Sequence, residues 1–180
     1  TYATNNHDLV TAVFIFNNNT FDKKREAQKW WLSKSLESFR SDLKKLNIGL
    51  EIIKDDEINF FSKLKSNNKI SVYWNKVYEP AELDKDKKIG KDLTDKRIDF
   101  KFFKGNVLNE YNKITKNDGT PFKVYSPFWR NAEQYYLERL PDKINKVKKC
   151  KKIETIFKKQ IYSEDILPKS KWYMKFEKYW

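Results

Sequence analysis

The sequence predicts an α/β fold, a doubly wound parallel sheet flanked by helices. The order of the predicted elements and the length of the chain predict this class. Short apolar runs rich in β-branched and aromatic residues alternate along the chain with longer segments whose apolar residues recur at helical spacing. Strands separated by helices are connected by right-handed crossovers, which leave neighbouring strands parallel. At 180 residues the chain is long enough for one sizeable core.

The first part of the chain holds two predicted strands and two predicted helices. Residues 11–16 form a continuous apolar run that asparagines end, as expected for a strand buried on both faces. Apolar residues then recur at helical spacing over 23–46, and the sequence Asn-Ile-Gly at 47–49 ends this helix. Residues 50–53 are predicted as the second strand and 56–66 as the second helix.

The pattern continues with a third strand at 70–74, a helix at 80–97 and a fourth strand at 98–103. The long helix opens on a proline, which is tolerated in a first turn because its missing N–H has no helical partner there. Further on, two prolines bracket a strand-like aromatic run at 122–126, and a helix is predicted over 128–140. Together these elements describe a Rossmann-like sheet.

Composition indicates a globular chain. Aromatic residues make up 16% and hydrophobic residues 39%, enough to bury a core despite 35% charged residues. The net charge of +13 is compatible with nucleic-acid binding. Nearly all of it is lysine spread along the chain, a pattern that often reflects compositional bias. The lysine excess at 141–180 favours a solvated linker over a nucleic-acid groove.

The cellular location follows from cysteine usage and hydropathy. Cys150 is the single cysteine and cannot form an internal disulfide, which fits a reducing compartment. No apolar run approaches the roughly 18 residues that cross a bilayer. The polar start does not resemble a signal peptide. We therefore expect a cytoplasmic protein with no membrane partner.

The residues alone predict no catalytic and no metal site. His7 is the only histidine, and no cluster of metal-ligating residues surrounds it in sequence. The sequence contains no glycine-rich phosphate loop and no nucleophile motif. Its carboxylates fall among lysines at helical spacing, which indicates solvated ion pairs.

One ligand crevice is predicted, because ligands of doubly wound sheets bind at the carboxyl ends of the strands. Asn17 and Asn18 follow the first strand, and Asn75, Tyr78 and Glu79 follow the third. Such amide, aromatic and carboxylate groups can stack on and hydrogen-bond a flat heteroaromatic ring. Ordinary turn chemistry explains the same residues equally well, and the residues alone leave both interpretations open.

Four motifs in order resemble a known family. Residues 27–36 read A-Q-K-W-W-L-S-K-S-L, 72–80 read V-Y-W-N-K-V-Y-E-P, Lys85-Asp86 follows, and 119–129 read G-T-P-F-K-V-Y-S-P-F-W. This order is similar to the N-terminal domain of DNA photolyases and cryptochromes. Trp30 and Trp31 are interpreted as packing residues of an amphipathic helix and not as part of that family's electron-transfer chain.

The resemblance also implies a domain organisation. The family's first strand, with the sequence W-F-R-R-D-L-R, forms the centre of the sheet, and the start of this chain resembles the end of the following helix. We therefore expect a truncated antenna domain at 1–140 that lacks its first (central) strand. A Lys-rich connector at 141–180 is then expected to lead to an absent FAD-binding helical domain, which would hold the catalytic residues.

The function that the resemblance implies is light harvesting for an FAD-containing enzyme that splits UV-induced pyrimidine dimers. UV-damaged DNA would be a partner of the full-length enzyme, as would the missing flavin-binding domain, and the complete protein would be a monomer. Two alternatives remain: a cryptochrome blue-light photoreceptor, or a free-standing basic α/β module that binds nucleotides or RNA. The class of lesion is left open.

The resemblance further implies an antenna chromophore, a folate or a deazaflavin. Glu82 occupies the position of a glutamate that grips the pterin ring in the folate-binding branch. That branch also uses a histidine after the second strand of the intact domain, and none follows Phe16. Val77 stands where the deazaflavin branch favours an acidic residue. Methenyltetrahydrofolate is therefore favoured over deazaflavin, with an empty antenna site as the alternative.

Overall fold

A computed structural model describes residues 1–17, 25–65, 70–105, 107, 110, 113–137, 146–158 and 160–179. The elements along the chain are α1 (Tyr2–Asn6), β1 (Thr11–Phe16), α2 (Glu26–Lys45), β2 (Gly49–Lys54), α3 (Glu57–Ser62), β3 (Ser71–Asn75), α4 (Pro80–Asp95), β4 (Asp99–Phe103), α5 (Tyr125–Leu137), a 3-10 helix (Ser163–Ile166) and α6 (Met174–Glu177). The chain divides into two compact units. Unit 1 comprises 1–64 and 146–180, and unit 2 comprises 65–145.

Unit 1 is built on a parallel pair of strands. β1 pairs with β2 in a register that runs from Thr11 opposite Gly49 to Phe16 opposite Lys54. The alternation of β-branched and aromatic residues suits a pleated, buried surface, and Ile52 of β2 is fully buried. Leu36 of α2 packs in the same core, so the helix covers this strand pair. The parallel pairing confirms the predicted α/β class.

Helix α2 ends within one residue of its predicted end at 46, whereas residues 23 and 24 of the predicted start lie outside the described residues. Gln28 reaches back to the backbone N–H of Arg25 at its start. At its end Asn47 adopts a positive φ of 57°, the left-handed conformation that terminates helices. Ser33 and Leu36 are buried on the face that also carries Trp30. Helix α3 ends at Ser62, before the predicted end at residue 66, which lies outside the described residues.

The segment 146–161 returns to unit 1 and runs along β2. Ile161 donates its backbone N–H to the Ile52 carbonyl at 2.9 Å in an antiparallel bridge. Glu51 is 2% exposed, and its two carboxylate oxygens accept the backbone N–H groups of Ile156 at 2.6 Å and Phe157 at 2.8 Å. The edge of the strand pair is therefore occupied by a distant part of the same chain.

Aromatic residues near position 175 pack on α2. Trp30 is 4% exposed and lies 5.4 Å from the Phe176 ring and 6.2 Å from the Trp172 ring, centroid to centroid. Its Nε1–H donates to Glu177 at 3.0 Å. The predicted packing role of Trp30 is confirmed, whereas Trp31 is 52% exposed and lies 6.2 Å from the Trp30 ring, centroid to centroid. The division between a domain at 1–140 and a connector at 141–180 stays a prediction.

Unit 2 is built on the parallel pair β3 and β4, with Trp74 opposite Phe102. Helix α4 buries Ile89 and Leu93. Gly90 lies against the Phe100 ring, where an added Cβ would be 3.4 Å from the nearest ring atom. The helix ends at Asp95 and not at residue 97, because Arg97 takes up a positive φ of 56°.

The predicted strand-like run at 122–126 is wrong. Residues 121–124 form an irregular bend, and α5 already begins at Tyr125, so Pro127 lies in its first turn. The bend follows a turn in which Gly119 has a φ of 79° and Asp118 accepts the backbone N–H of Thr120. Phe122 folds against the ring of Phe128 at 6.3 Å. Residues 138–140 of the predicted helix lie outside the described residues.

Candidate functional site

The carboxyl end of β1 is occupied by a hydrogen-bonded network. Asn17 follows the strand directly, and its amide donates to carboxylate oxygens of Asp56 and Glu57, each at 3.1 Å. Asp56 in turn accepts the backbone N–H of Ile58 as the N-cap of α3. Asn17 therefore orders the start of a helix in unit 1. Asn18 lies outside the described residues.

Trp74 and Asn75 end strand β3 in unit 2. The Trp74 indole packs at 4.4 Å, edge to face, on Phe102 and at 5.9 Å, nearly parallel, on Phe100. Its Nε1–H donates to Asp86 Oδ1 of α4 at 3.1 Å. Asn75 is exposed. The strand end thus presents one ring fixed on three sides beside an exposed amide.

Two residues of the loop from β3 to α4, Lys76 and Tyr78, are held by hydrogen bonds and an ion pair. Lys76 donates its backbone N–H to Phe103 at 2.9 Å, and its ammonium lies 3.0 Å from Glu110. The Tyr78 hydroxyl donates to the same Glu110 oxygen at 3.2 Å. Gly105 approaches so closely that a Cβ there would stand 2.1 Å from the Lys76 carbonyl oxygen. Only glycine fits this position.

Glu79 and Glu82 stand at the start of α4. Glu79 is exposed at the N-cap position and makes no capping hydrogen bond through its side chain. Glu82 lies in the first turn, where a negative charge is favoured by the helix dipole. Its side chain is 38% exposed and forms an ion pair with Lys85 at 2.8 Å. Of the predicted site residues, Asn75, Tyr78, Glu79 and Glu82 therefore share one strand, loop and helix start in unit 2.

Asp86 and Glu110 belong to this strand end and were not predicted as site residues. Asp86 follows Glu82 by four positions, so both lie on one face of α4. Burial raises the pKa of Asp86 above its usual value, and the Glu82 charge adds to this, against the hydrogen bond from Trp74. The helical spacing from Glu82 was a usable signal for Asp86. Nothing in the local sequence marks Glu110, because its partners lie some thirty residues away.

No group of three or more His, Cys, Asp or Glu side chains that could hold a metal ion occurs within the described part of the chain. In the same residues, no helix is both long and apolar enough for a bilayer. The carboxyl end of β3 and the start of α4 carry aromatic, amide and carboxylate groups, which suit a planar ligand with N–H donors.

Each unit has the parallel strand pair and covering helix of the α/β class of proteins. The family model described as DNA photolyase matches residues 1–146, and the chain belongs to this family. Members of this family bind FAD and an antenna chromophore.

Two curated relatives show the range of the similarity. A deoxyribodipyrimidine photo-lyase of Agrobacterium fabrum is 33% identical over 108 residues, which are 59% of this chain and 22% of the relative. Cryptochrome-1 of Arabidopsis thaliana is 28% identical over 106 residues, 58% of this chain and 16% of the relative. The chain thus spans about a fifth of the length of these relatives.

Two solved structures are similar to the whole described fold. A bacterial class III photolyase from Agrobacterium tumefaciens superimposes with a TM-score of 0.73 at 26% identity, over 99% of this chain and 37% of that one. An archaeal photolyase from Sulfolobus tokodaii gives a TM-score of 0.65 at 18% identity, over 92% of this chain and 36% of that one. The second likeness shows the fold alone.

Proposed function

We propose that this chain is the light-harvesting domain of a light-dependent, FAD-containing enzyme that splits UV-induced pyrimidine dimers in DNA. Support comes from the family match and from the photolyase name of the relative that is 33% identical. The flavin and the catalytic residues would lie in a helical domain beyond a connector at 141–180, with the antenna domain at 1–140. The complete enzyme would be a cytoplasmic monomer whose substrate is UV-damaged DNA.

The observation that supports an antenna site is the position of Glu82 in the first turn of α4, the helix that follows β3. Its carboxylate projects from the first turn of α4, one turn before the residue that holds the Trp74 indole. A carboxylate accepts two parallel N–H bonds from a ring that presents an amino group beside a ring N–H. A pterin has this edge, so Glu82 would grip the folate while Trp74 bounds the crevice.

The neighbouring residues would complete the crevice. The Asn75 amide and the Glu79 carboxylate are both exposed and free to meet a ligand's polar edge. Tyr78 would form a rigid wall, because Glu110 holds its hydroxyl. The family resemblance implies an acidic residue at position 77 in the deazaflavin branch. Val77 is uncharged and 42% exposed, which supports methenyltetrahydrofolate over a deazaflavin.

Reconstitution with methenyltetrahydrofolate tests the antenna. The full coding sequence that contains this chain is expressed, loaded and desalted, and the near-UV absorption that stays with the protein is measured. Glu82→Ala is expected to lose most of this band, because one charge-assisted pair of hydrogen bonds disappears. Glu133→Ala, an exposed glutamate of α5, is the matched control and is expected to retain it. Equal retention by both variants would contradict the role of Glu82.

Light-dependent repair distinguishes the two family functions. A cryptochrome is the second candidate, because two Arabidopsis thaliana cryptochromes are 28% identical over 106 residues and 25% identical over 114 residues of this chain. The proposed enzyme removes pyrimidine dimers from irradiated DNA under blue light and not in the dark. Flavin photoreduction without dimer loss would instead identify a photoreceptor.

A further inference from the structure

We propose that Asp86 is a positioning residue of the antenna site: its carboxylate fixes the Trp74 indole at the carboxyl end of β3, one helical turn from Glu82. The inference rests on the proposed function, since it names a residue that shapes the same crevice. Asp86 would not touch the chromophore. It would act through the ring that bounds the crevice.

The first step is the common face of α4. Glu82, Asp86 and Gly90 are spaced by four residues, so they follow one another along one side of the helix. Gly90 lies against Phe100 and Phe102 of β4, at 3.4 and 3.6 Å from an added Cβ. The Gly90 end of this face therefore lies on β4, and Glu82 is its member in the first turn of α4. Successive members are separated by about 5–6 Å.

The second step is the restraint on Trp74. Phe100 and Phe102 confine the ring by packing. The hydrogen bond from Nε1 to Asp86 at 3.1 Å additionally fixes which edge of the indole faces α4. The Trp74 indole is bound to Asp86 of α4, and Glu82 stands on the same helix. Helix α4 therefore sets the spacing between Trp74 and Glu82.

The third step is the cost of using an acid here. Asp86 Oδ2 is buried and has no hydrogen-bond partner among the described residues. Leaving a buried acceptor unpaired costs about 1–3 kcal/mol in typical proteins. An amide would accept the indole N–H equally well without a buried charge. What this position supplies is therefore the acceptor for the Trp74 N–H, which either an acid or an amide can provide.

Two charged side chains of α4 shift the pKa of Asp86. Glu82 raises its pKa and Lys85 lowers it, and both stand on α4. The Lys85 ammonium also lies 2.8 Å from the Glu82 carboxylate. Its positive charge reduces the repulsion between Glu82 and Asp86. The β4 rings packed on Trp74 carry no charge.

A ligand-free measurement tests the pairing. In uniformly 15N-labelled protein, the indole N–H resonance of Trp74 is assigned by its loss in Trp74→Phe. It is expected to shift with pH as Asp86 titrates, with a midpoint above 3.8. Asp86→Asn should abolish the titration, and Asp84→Asn, an exposed acid on the same helix paired with Lys87, should leave it unchanged. Persistence of the titration in Asp86→Asn would overturn the pairing.

Chromophore binding tests the positioning role. Asp86→Leu and Trp74→Phe are each expected to weaken methenyltetrahydrofolate binding roughly tenfold and to shift the absorption maximum, as loss of an orienting partner does elsewhere. The double variant should bind no worse than either single variant, because both break one bond. Asp86→Asn keeps the acceptor, and we expect it to restore most of the affinity.

The outcomes separate the two proposals. Lower thermal stability of Asp86→Leu with unchanged affinity and absorption maximum would reduce Asp86 to a purely structural residue. If the wild-type protein retains neither folate nor deazaflavin, the antenna proposal fails and the positioning role fails with it. The indole titration would then still show whether Asp86 holds Trp74.

Discussion

At the scale of single residues, Glu51 joins two distant parts of the chain in unit 1. It lies inside β2, where an acid is unexpected, yet it is buried and satisfied by two backbone N–H groups. Hydrogen bonds from backbone N–H groups to a carboxylate are stronger than those between neutral groups. Glu51 therefore holds the segment around Ile156 and Phe157 on the edge of β2.

Replacement of Glu51 tests this clamp. Glu51→Gln puts an NH2 group opposite one of the two N–H donors, so one bond is lost and a donor is left facing a donor. We expect a loss of about 1–3 kcal/mol in the free energy of unfolding by urea. Glu164→Gln, an exposed glutamate, is the matched control and should stay within about 0.5 kcal/mol of wild type. A similar effect of both substitutions would exclude a specific clamp.

The stability of unit 1 depends on pH through the carboxylate of Glu177. The Lys34 ammonium, and after it the Trp30 N–H, hold the pKa of Glu177 below its usual value of 4.5. A lowered pKa in the folded state means that this carboxylate stabilises the fold above 4.5 and that the contribution disappears as the pH falls through the lowered pKa.

We therefore expect wild type to be more stable than Glu177→Gln at neutral pH. The difference should close in acid, because both side chains are then uncharged. Thermal melts at a series of pH values, followed by tryptophan fluorescence, measure it. A difference that persists in acid would show that the charge of Glu177 is not the cause.

At the scale of elements, the loop between β3 and α4 depends on one close backbone approach. Gly105→Ala would force its Cβ against the Lys76 carbonyl oxygen, and backbone atoms on both sides must then move. We expect a loss of about 1–3 kcal/mol, typical of overpacking. Because the same loop carries Tyr78, chromophore affinity should fall as well. Measurement of both by urea unfolding and folate titration checks this, and unchanged affinity would show that the crevice does not depend on the loop.

The sequence predicts elements well where local and tertiary preferences agree. The apolar run of β1 is a strand over the predicted residues, and α4 begins at Pro80 as predicted. Prediction from the sequence fails where a strand needs a partner strand. The aromatic run before Pro127 has the composition of a strand, but the chain enters α5 at Tyr125 instead. Glu51 and Glu110 could not be recognised because their partners are distant in sequence, whereas Glu82 and Asp86 share a readable helical spacing.

At the scale of the whole molecule, unit 1 is assembled from two segments that unit 2 separates in sequence. A chain that ends at residue 145 would lose the cover over Trp30 and the partner of the β2 edge. We expect such a chain to have a lower melting temperature and red-shifted tryptophan fluorescence, since Trp30 becomes exposed to water. Tyr179→Ala, at a residue that is 80% exposed, is the control and should melt like wild type. An unchanged melt of the shortened chain would show that 146–180 does not stabilise unit 1.

The discontinuity of unit 1 also matters while the protein is being made. Residues 65–145 leave the ribosome after β1 and α2 but before the segment that covers them. At about 5–20 residues per second, this delay lasts roughly 4–16 s, which is long compared with the microseconds in which helices form. The apolar face around Trp30 therefore remains exposed to solvent on the nascent chain during this time. Slow codons between positions 65 and 145 would lengthen this exposure and increase the demand for chaperones.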